Sequence, residues 1–235
     1  MNDFGLLIPA AGKGKRAQLP FPKTLFRYKS VPILHRILKK TKFLNAKPII
    51  IASSKGSKTI AKYLSEHNFK YEIILQKKQI GMLDAVMKVK NYSNYRYTEN
   101  FLLIWGDICN PQTATLRKIC KLHKKDHNDL SIVSHLSNFA YTKIVKSDNK
   151  IIRVDEMKNK LKKNIINERD TGIFVISKKY INFLNHVKKK CIIDNEYSFL
   201  ESIKYAVKQQ LIVRSYLIAK SKDCISFNQQ SDLHK

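Results

Sequence analysis

Three short segments of this chain carry residue types that could handle a polyphosphate. The first is Ala10-Ala11-Gly12-Lys13-Gly14-Lys15-Arg16, followed by Pro22-Lys23. Glycines in such a turn let backbone N–H groups approach phosphate oxygens with no Cβ in the way. Arg16 and Lys23 add the mobile positive charge that a triphosphate and its departing pyrophosphate require. The segment is not a dinucleotide fingerprint, because Ala17 stands where the third glycine belongs. It is not a Walker loop either, because no Gly-Lys-Ser/Thr follows at the right distance. Taken alone, it could equally be a tight strand-to-helix turn.

The second segment runs from Gln76 to Gly81 and on to Val86. A glutamine offers both donors and acceptors, although one isolated after a strand is ordinarily a surface amide. The third is Trp105-Gly106-Asp107, at the end of the most apolar stretch of the chain. Mg²⁺ prefers one or two carboxylates together with phosphate oxygens and water, and a carboxylate on a rigid buried strand suits that need. A lone Gly-Asp would otherwise read as an Asp-initiated turn.

The elements that must position these segments follow from periodicity. Short apolar runs predict strands over 6–8, 48–52, 71–75, 101–105 and 130–135. Helical spacing predicts helices over 33–44, 57–67, 83–89 and 113–123. Strands apolar on both faces, alternating with helices, imply an α/β fold with a mainly parallel sheet covered on both sides. After His135 the pattern changes to a hairpin (143–145 with 151–154), a strand over 172–176, a helix over 199–209 and a final strand over 211–218. No linker separates the halves, so a single domain over 1–235 is expected. Open parallel sheets bind ligands beyond the carboxyl ends of their strands, and all three segments above lie at such ends.

Composition narrows the classes. The 235 residues are 43% apolar and 27% charged, with a net charge of +27, enough for one sizeable core. Clustered Lys and Arg would indicate a nucleic-acid partner. Here only eight of the 45 basic residues are arginine, and the lysines are spread evenly from Lys13 to Lys235. No nucleic-acid partner is therefore expected, although the field would attract nucleotides. Cys109, Cys120, Cys191 and Cys224 show no metal-site spacing and read as reduced thiols of a cytoplasmic protein. No signal peptide or membrane span is expected. Oligomeric state stays open.

The glycine loop with its downstream Pro-Lys resembles the nucleotide-diphospho-sugar pyrophosphorylases, above all the uridylyltransferase domain of the N-acetylglucosamine-1-phosphate uridylyltransferases. The stretches 7–16 and 19–25 hold the family order and the seven-residue step from Arg16 to Lys23. The resemblance implies a Rossmann-like fold and Mg²⁺-dependent transfer of a pyrimidine nucleotide to a sugar 1-phosphate. It implies catalytic roles for Arg16 and Lys23, and nucleotide contacts from Ala10, Ala11, Gly12, Gly14, Gln76 and Gly81. It implies metal ligation by Asp107 and Asn228, and sugar contacts from Glu156, Asp170 and Thr171. Glu196-Tyr197 resembles a further family segment. No acetyltransferase repeat accompanies the domain in this sequence.

Three positions depart from the family pattern. Met82 stands for a threonine, Thr142 for a glycine after Tyr141, and Asp170 for an asparagine. An ionised Asp170 would present acceptors only, favouring a substrate that brings donors or a cationic group over N-acetylglucosamine 1-phosphate. Two other readings stay open: a cytidylyltransferase acting on phosphocholine or a similar phospho-alcohol, with Trp105 against the headgroup, and a non-catalytic nucleotide-binding protein.

Overall fold

Apolar runs from both halves of the chain meet in one seven-stranded sheet. The computed structural model describes residues 3–12, 19–138, 141–156 and 166–227. In chain order the strands are β1 (Phe4–Pro9), β2 (Arg27–Tyr28), β3 (Val31–Pro32), β4 (Ile49–Ala52), β5 (Glu72–Leu75), β6 (Asn100–Ile104) and β7 (Leu130–Ser137). They continue with β8 (Thr142–Ser147), β9 (Lys150–Glu156), β10 (Asn167–Ser177), β11 (Ile192–Ile193), β12 (Glu196–Tyr197) and β13 (Val213–Tyr216). The helices are α1 (Ile33–Lys40), α2 (Ser54–Glu66), α3 (Met82–Met87), α4 (Thr113–Lys125), α5 (Lys178–Val187) and α6 (Ser202–Lys208).

The sheet order is β13-β7-β10-β6-β1-β4-β5. Strands β5, β4, β1 and β6 run parallel, as do β7 and β13, while β10 is antiparallel to both of its neighbours. Alternation along each strand feeds two cores. Leu7, Ile49, Leu103 and Phe174 face α3, α5 and α6. Leu6, Ile8, Ile50, Leu102 and Val175 face α1, α2 and α4. Each fully buried Leu or Ile contributes about 1.5–3 kcal/mol, which explains why the central strands β1 and β4 carry no polar side chain. The mixed, mainly parallel sheet with helices on both faces agrees with the expectation.

Several boundaries differ from those expected. The helix expected over 33–44 ends at Lys40 and passes into a separate short 3₁₀ turn, Lys42–Leu44. That expected over 199–209 begins only at Ser202. Strand β10 is eleven residues long rather than five, because 167–170 pair with β7 although they are polar. Helix α5 had no counterpart in the expectation. Ser177 caps it by accepting from the Tyr180 N–H at 3.0 Å. The β8–β9 hairpin turns at Asp148 and Asn149, both at positive φ, as a type I′ hairpin turn requires. Asp194 and Asn195 do the same between β11 and β12.

This topology sets up a site. The carboxyl ends of β1, β4, β5 and β6 lie on one edge of the sheet. The reversal of β10 carries its amino-terminal half, Glu168 to Thr171, to that same edge, where the Trp105 N–H donates to the Gly172 carbonyl at 3.0 Å. Among the described residues no helix is long and apolar enough to cross a membrane. The four cysteines are free thiols. Burial pushes Cys120 up to about 12 and Cys191 up to about 11, so both are unreactive packing residues.

Candidate active site

At the end of β1 the chain turns through Ala10, Ala11 and Gly12. The Ala10 N–H is tied to the Ile51 carbonyl at 2.7 Å, Ala11 is buried, and Gly12 is exposed with open space around it. The turn therefore starts from a rigid base and reaches the surface at Gly12. Gly14 and Arg16 lie outside the described residues. Lys23 follows in a short 3₁₀ turn after Pro22.

Beside this loop, β6 delivers Trp105-Gly106-Asp107. The Gly106 N–H donates to the Pro9 carbonyl, and a Cβ at Gly106 would lie 2.7 Å from that oxygen. Only glycine lets the two strand ends approach so closely. The approach places Asp107 opposite Lys23, whose Nζ lies 2.9 Å from Asp107 Oδ2. The other oxygen, Asp107 Oδ1, is buried and has no hydrogen-bond partner among the described residues. A buried carboxylate oxygen without a donor is costly and is the kind of atom that a cation completes. The donor set suits Mg²⁺, which takes one or two carboxylates and leaves its other positions to phosphate and water. Among the described residues no group of three or more His, Cys, Asp or Glu side chains could hold a metal by itself.

Asn228 lies outside the described residues, but the segment leading to it is held against Asp107. The Phe227 N–H donates to the Asp107 carbonyl at 2.9 Å, and the Cys109 N–H to that of Ile225 at 2.8 Å. The anchor is Asp223, which is fully buried. It accepts from the backbone N–H groups of Gln112 (2.6 Å) and Lys220 (2.9 Å) and from the Thr115 hydroxyl (2.8 Å). Sequence reasoning passed over Asp223, since a lone Lys-Asp-Cys carries no motif.

Gln76 and Gly81 are in contact, but part of the glutamine is committed internally. Its Nε2 donates to the Gly81 carbonyl (3.1 Å) and to Asp84 Oδ2 (3.0 Å). Asp84 also receives Lys188 Nζ at 2.7 Å. Burial opposes its ionisation, but Lys188 and Gln76 outweigh that and hold its carboxyl below the usual range. Gly81 has φ +119, and a Cβ there would lie 2.4 Å from backbone atoms of Tyr197, so α3 is clamped on β12. The Gln76 amide nitrogen thus braces the clamp.

A cleft of about 610 Å³ opens next to Asp107. Its lining includes Glu156, Asp170, Thr171, Glu196 and Tyr197, so three predicted substrate residues do share a site with Asp107. Their side chains are not equally available. Glu156 is exposed and accepts from the Ser198 hydroxyl. The Thr171 hydroxyl is spent on the Val133 carbonyl at 3.0 Å. The expectation for Asp170 needs correcting in one respect. It is buried, with Oδ1 accepting from the Thr142 hydroxyl (2.6 Å) and Oδ2 from the Gly172 N–H (2.9 Å). Burial pushes its pKa up, against the opposing pull of those two bonds. Its oxygens are structural acceptors at the β10 bulge, not two unsatisfied ones awaiting a substrate. The Thr142 that replaces a glycine supplies one of the donors.

The MobA-like NTP transferase domain matches residues 6–208. The chain belongs to that family. Among curated proteins it is 29% identical, over 238 residues, to the bifunctional protein GlmU of Wigglesworthia glossinidia brevipalpis, covering 100% of this chain and 51% of that protein. It is also 29% identical to GlmU of Buchnera aphidicola subsp. Baizongia pistaciae, covering 97% of this chain and 50% of that one. The chain thus spans about half the length of these relatives. Solved structures share the fold. The inositol-1-phosphate CTP transferase of T. maritima superposes with a TM-score of 0.71 at 18% identity, over 91% of this chain and 84% of that one. A UDP-glucose pyrophosphorylase complexed with UDP-glucose gives 0.76 at 16% identity, over 99% and 96%.

Proposed function

We propose that this member of the NTP transferase family couples a pyrimidine nucleoside triphosphate to a sugar 1-phosphate and releases pyrophosphate. The observation that carries the reading is the Lys23–Asp107 pair, held at the carboxyl edge of the sheet between the Ala10–Gly12 turn and the cleft. In the proposed reaction a phosphate oxygen of the acceptor attacks the α-phosphorus of the triphosphate, the α–β bridge breaks, and pyrophosphate leaves with its electron pair. The nucleophile is already ionised, so no general base is required. Two polyanions must meet, and catalysis is charge neutralisation and positioning.

Lys23 and Arg16 meet the triphosphate, while backbone N–H groups of the 10–14 loop orient it. The Gln76 carbonyl oxygen is the part of that amide left to meet a ring N–H of the base, beside Gly81. Asp107, together with Asn228, would hold Mg²⁺, which supplies positive charge against the phosphate oxygens when bound. Glu156 accepts hydroxyl protons of the sugar, with Asp170 and Thr171 shaping the wall behind it. The four free thiols are in keeping with a cytoplasmic setting.

One feature favours a second reading. Glu156 and Glu196 share the cleft with the rings of Trp105, Tyr141 and Tyr197, an arrangement that also suits a cationic headgroup. A pyrophosphate-release screen of four nucleoside triphosphates against sugar 1-phosphates and phosphocholine, with Mg²⁺, decides between the two. Turnover with no phosphomonoester would reject both.

A further inference from the structure

The cleft has an uneven charge pattern. Asp107, Glu156, Asp170 and Glu196 line it, whereas Arg169 is the one cationic side chain in its lining among the described residues. Arg169 sits on β10 opposite His135 of β7, one residue before the Asp170 side chain locked by Thr142 and Gly172. Its guanidinium lies beside the Cys224 thiol, a neutral and weak partner that it pulls toward ionisation against burial. Its Nε is buried and has no hydrogen-bond partner among the described residues. The same holds for Nε1 of Trp105, another side chain of the cleft wall. Unsatisfied buried donors are uncommon in folded proteins and call for an explanation. Two of them on one cleft call for a ligand that only accepts.

A phosphate monoester is such a ligand. It has acceptor oxygens and no donor when ionised, and a guanidinium fork matches its geometry. It also needs a cation to enter a cleft lined by four carboxyl groups, and Lys23 is engaged at Asp107. From this we infer that Arg169 is a specificity-determining residue that grips the phosphate of the acceptor substrate, with the Trp105 N–H as a second donor. The inference rests on the proposed nucleotidyl transfer and adds which residue separates the phosphorylated acceptor from its unphosphorylated form.

The test compares the 235-residue wild-type protein with Arg169→Gln and Arg169→Lys, using the substrate pair found by the screen. In Arg169→Gln the KM for the acceptor rises roughly tenfold to a hundredfold, the effect of losing a charge-assisted contact. The KM for the triphosphate changes less than twofold. Arg169→Lys falls between, since it keeps the charge and loses the fork. An unchanged acceptor KM, or equal rises for both substrates, overturns the inference. Should Arg169→Gln fail to fold, the acceptor KM of Arg169→Lys carries the same decision. Calorimetric titration with methyl phosphate separates this inference from the broader reading. Binding to the wild type that is lost in Arg169→Gln supports Arg169 even if no substrate pair turns over. Equal binding by the two proteins, or none by the wild type, overturns it.

Discussion

Nζ of Lys23 lies 2.9 Å from Oδ2 of Asp107, across 84 residues of sequence. The two side chains are only about one-fifth exposed, so the pair is screened less than a surface ion pair but is not sealed from water. It joins the residue proposed to meet the triphosphate to the one proposed to hold the metal. The lysine offsets the carboxylate, and in the proposed mechanism it would turn to a phosphate oxygen when a divalent cation is held by Asp107.

Lys23→Ala is expected to lower turnover about a hundredfold, equivalent to about 3 kcal/mol of transition-state stabilisation. The fold should respond only modestly, by about 1–2 kcal/mol, because the pair is partly buried and its loss leaves the Asp107 carboxylate without its cation. Steady-state kinetics alongside thermal melting check both halves. A variant that melts normally and turns over at the wild-type rate would remove Lys23 from the mechanism.

Asp107→Ala is expected to abolish Mg²⁺-dependent activity while sparing weak triphosphate binding through the 10–14 loop. It removes Oδ1, which has no hydrogen-bond partner among the described residues and is the atom proposed to meet the cation. Nucleotide affinity measured with and without Mg²⁺ should differ in the wild type and coincide in the variant. If Mg²⁺ still strengthens binding in Asp107→Ala, then Asp107 is a turn residue only.

How much of this was legible in the sequence depends on which elements are compared. The parallel strands announce themselves because burial on both faces leaves uninterrupted runs such as Leu6-Leu7-Ile8 and Phe101-Leu102-Leu103-Ile104. The run at 101–105 therefore puts Asp107 just past a strand end, while the roles expected of Asp107 and Lys23 come from the family resemblance of the segments that carry them. Strand β10 is different. Its polar start, Asn167-Glu168-Arg169-Asp170, has no alternation from which to assign faces. The register shifts between Asp170 and Phe174, and the adjacent Arg169 and Asp170 both line the cleft. No periodicity rule predicts that. Helix α5 was within reach, since Tyr180, Phe183, Leu184 and Val187 keep helical spacing behind a Ser177 cap. So was the Asp194-Asn195 turn, which has the chemistry of the Asp148-Asn149 turn.

Asp223→Ala should affect both stability and metal use. It strips the acceptor from two backbone N–H groups and the Thr115 hydroxyl in a fully buried place, at a cost of about 3 kcal/mol. The 225–227 segment would then loosen beside Asp107. The Mg²⁺ concentration for half-maximal activity should rise severalfold, and more than the KM for the triphosphate does. A destabilised variant with an unchanged Mg²⁺ requirement would show that the anchor serves the fold alone. Asp223→Asn keeps one acceptor oxygen and should fall between wild type and alanine on both measures.

The last prediction concerns Asp170, where the structure turns a question of specificity into one of stability. Its folded pKa is raised by burial, so ionisation is easier in the unfolded chain, whose carboxyl titrates near about 4. Below that value both states are protonated and the group adds no penalty. As pH rises from there through the raised folded pKa, the unfolded state releases its proton first and stability falls. Above the folded pKa the full penalty of a buried charge remains. Asp170→Asn removes the titration. An asparagine can keep both bonds, its oxygen accepting from the Gly172 N–H while its amide donates to the Thr142 hydroxyl. The variant should therefore melt above the wild type at neutral pH, and the gap should close on acidification toward about pH 4. Acceptor preference should move little, since the carboxylate oxygens are committed to Thr142 and Gly172. Melting curves across this range, with kcat/KM for an amino-substituted and a neutral acceptor, test both statements. A gap independent of pH would mean that Asp170 ionises at the same pH in the folded and unfolded chains, against the effect of burial, and a large change in preference would put its carboxylate back in contact with substrate.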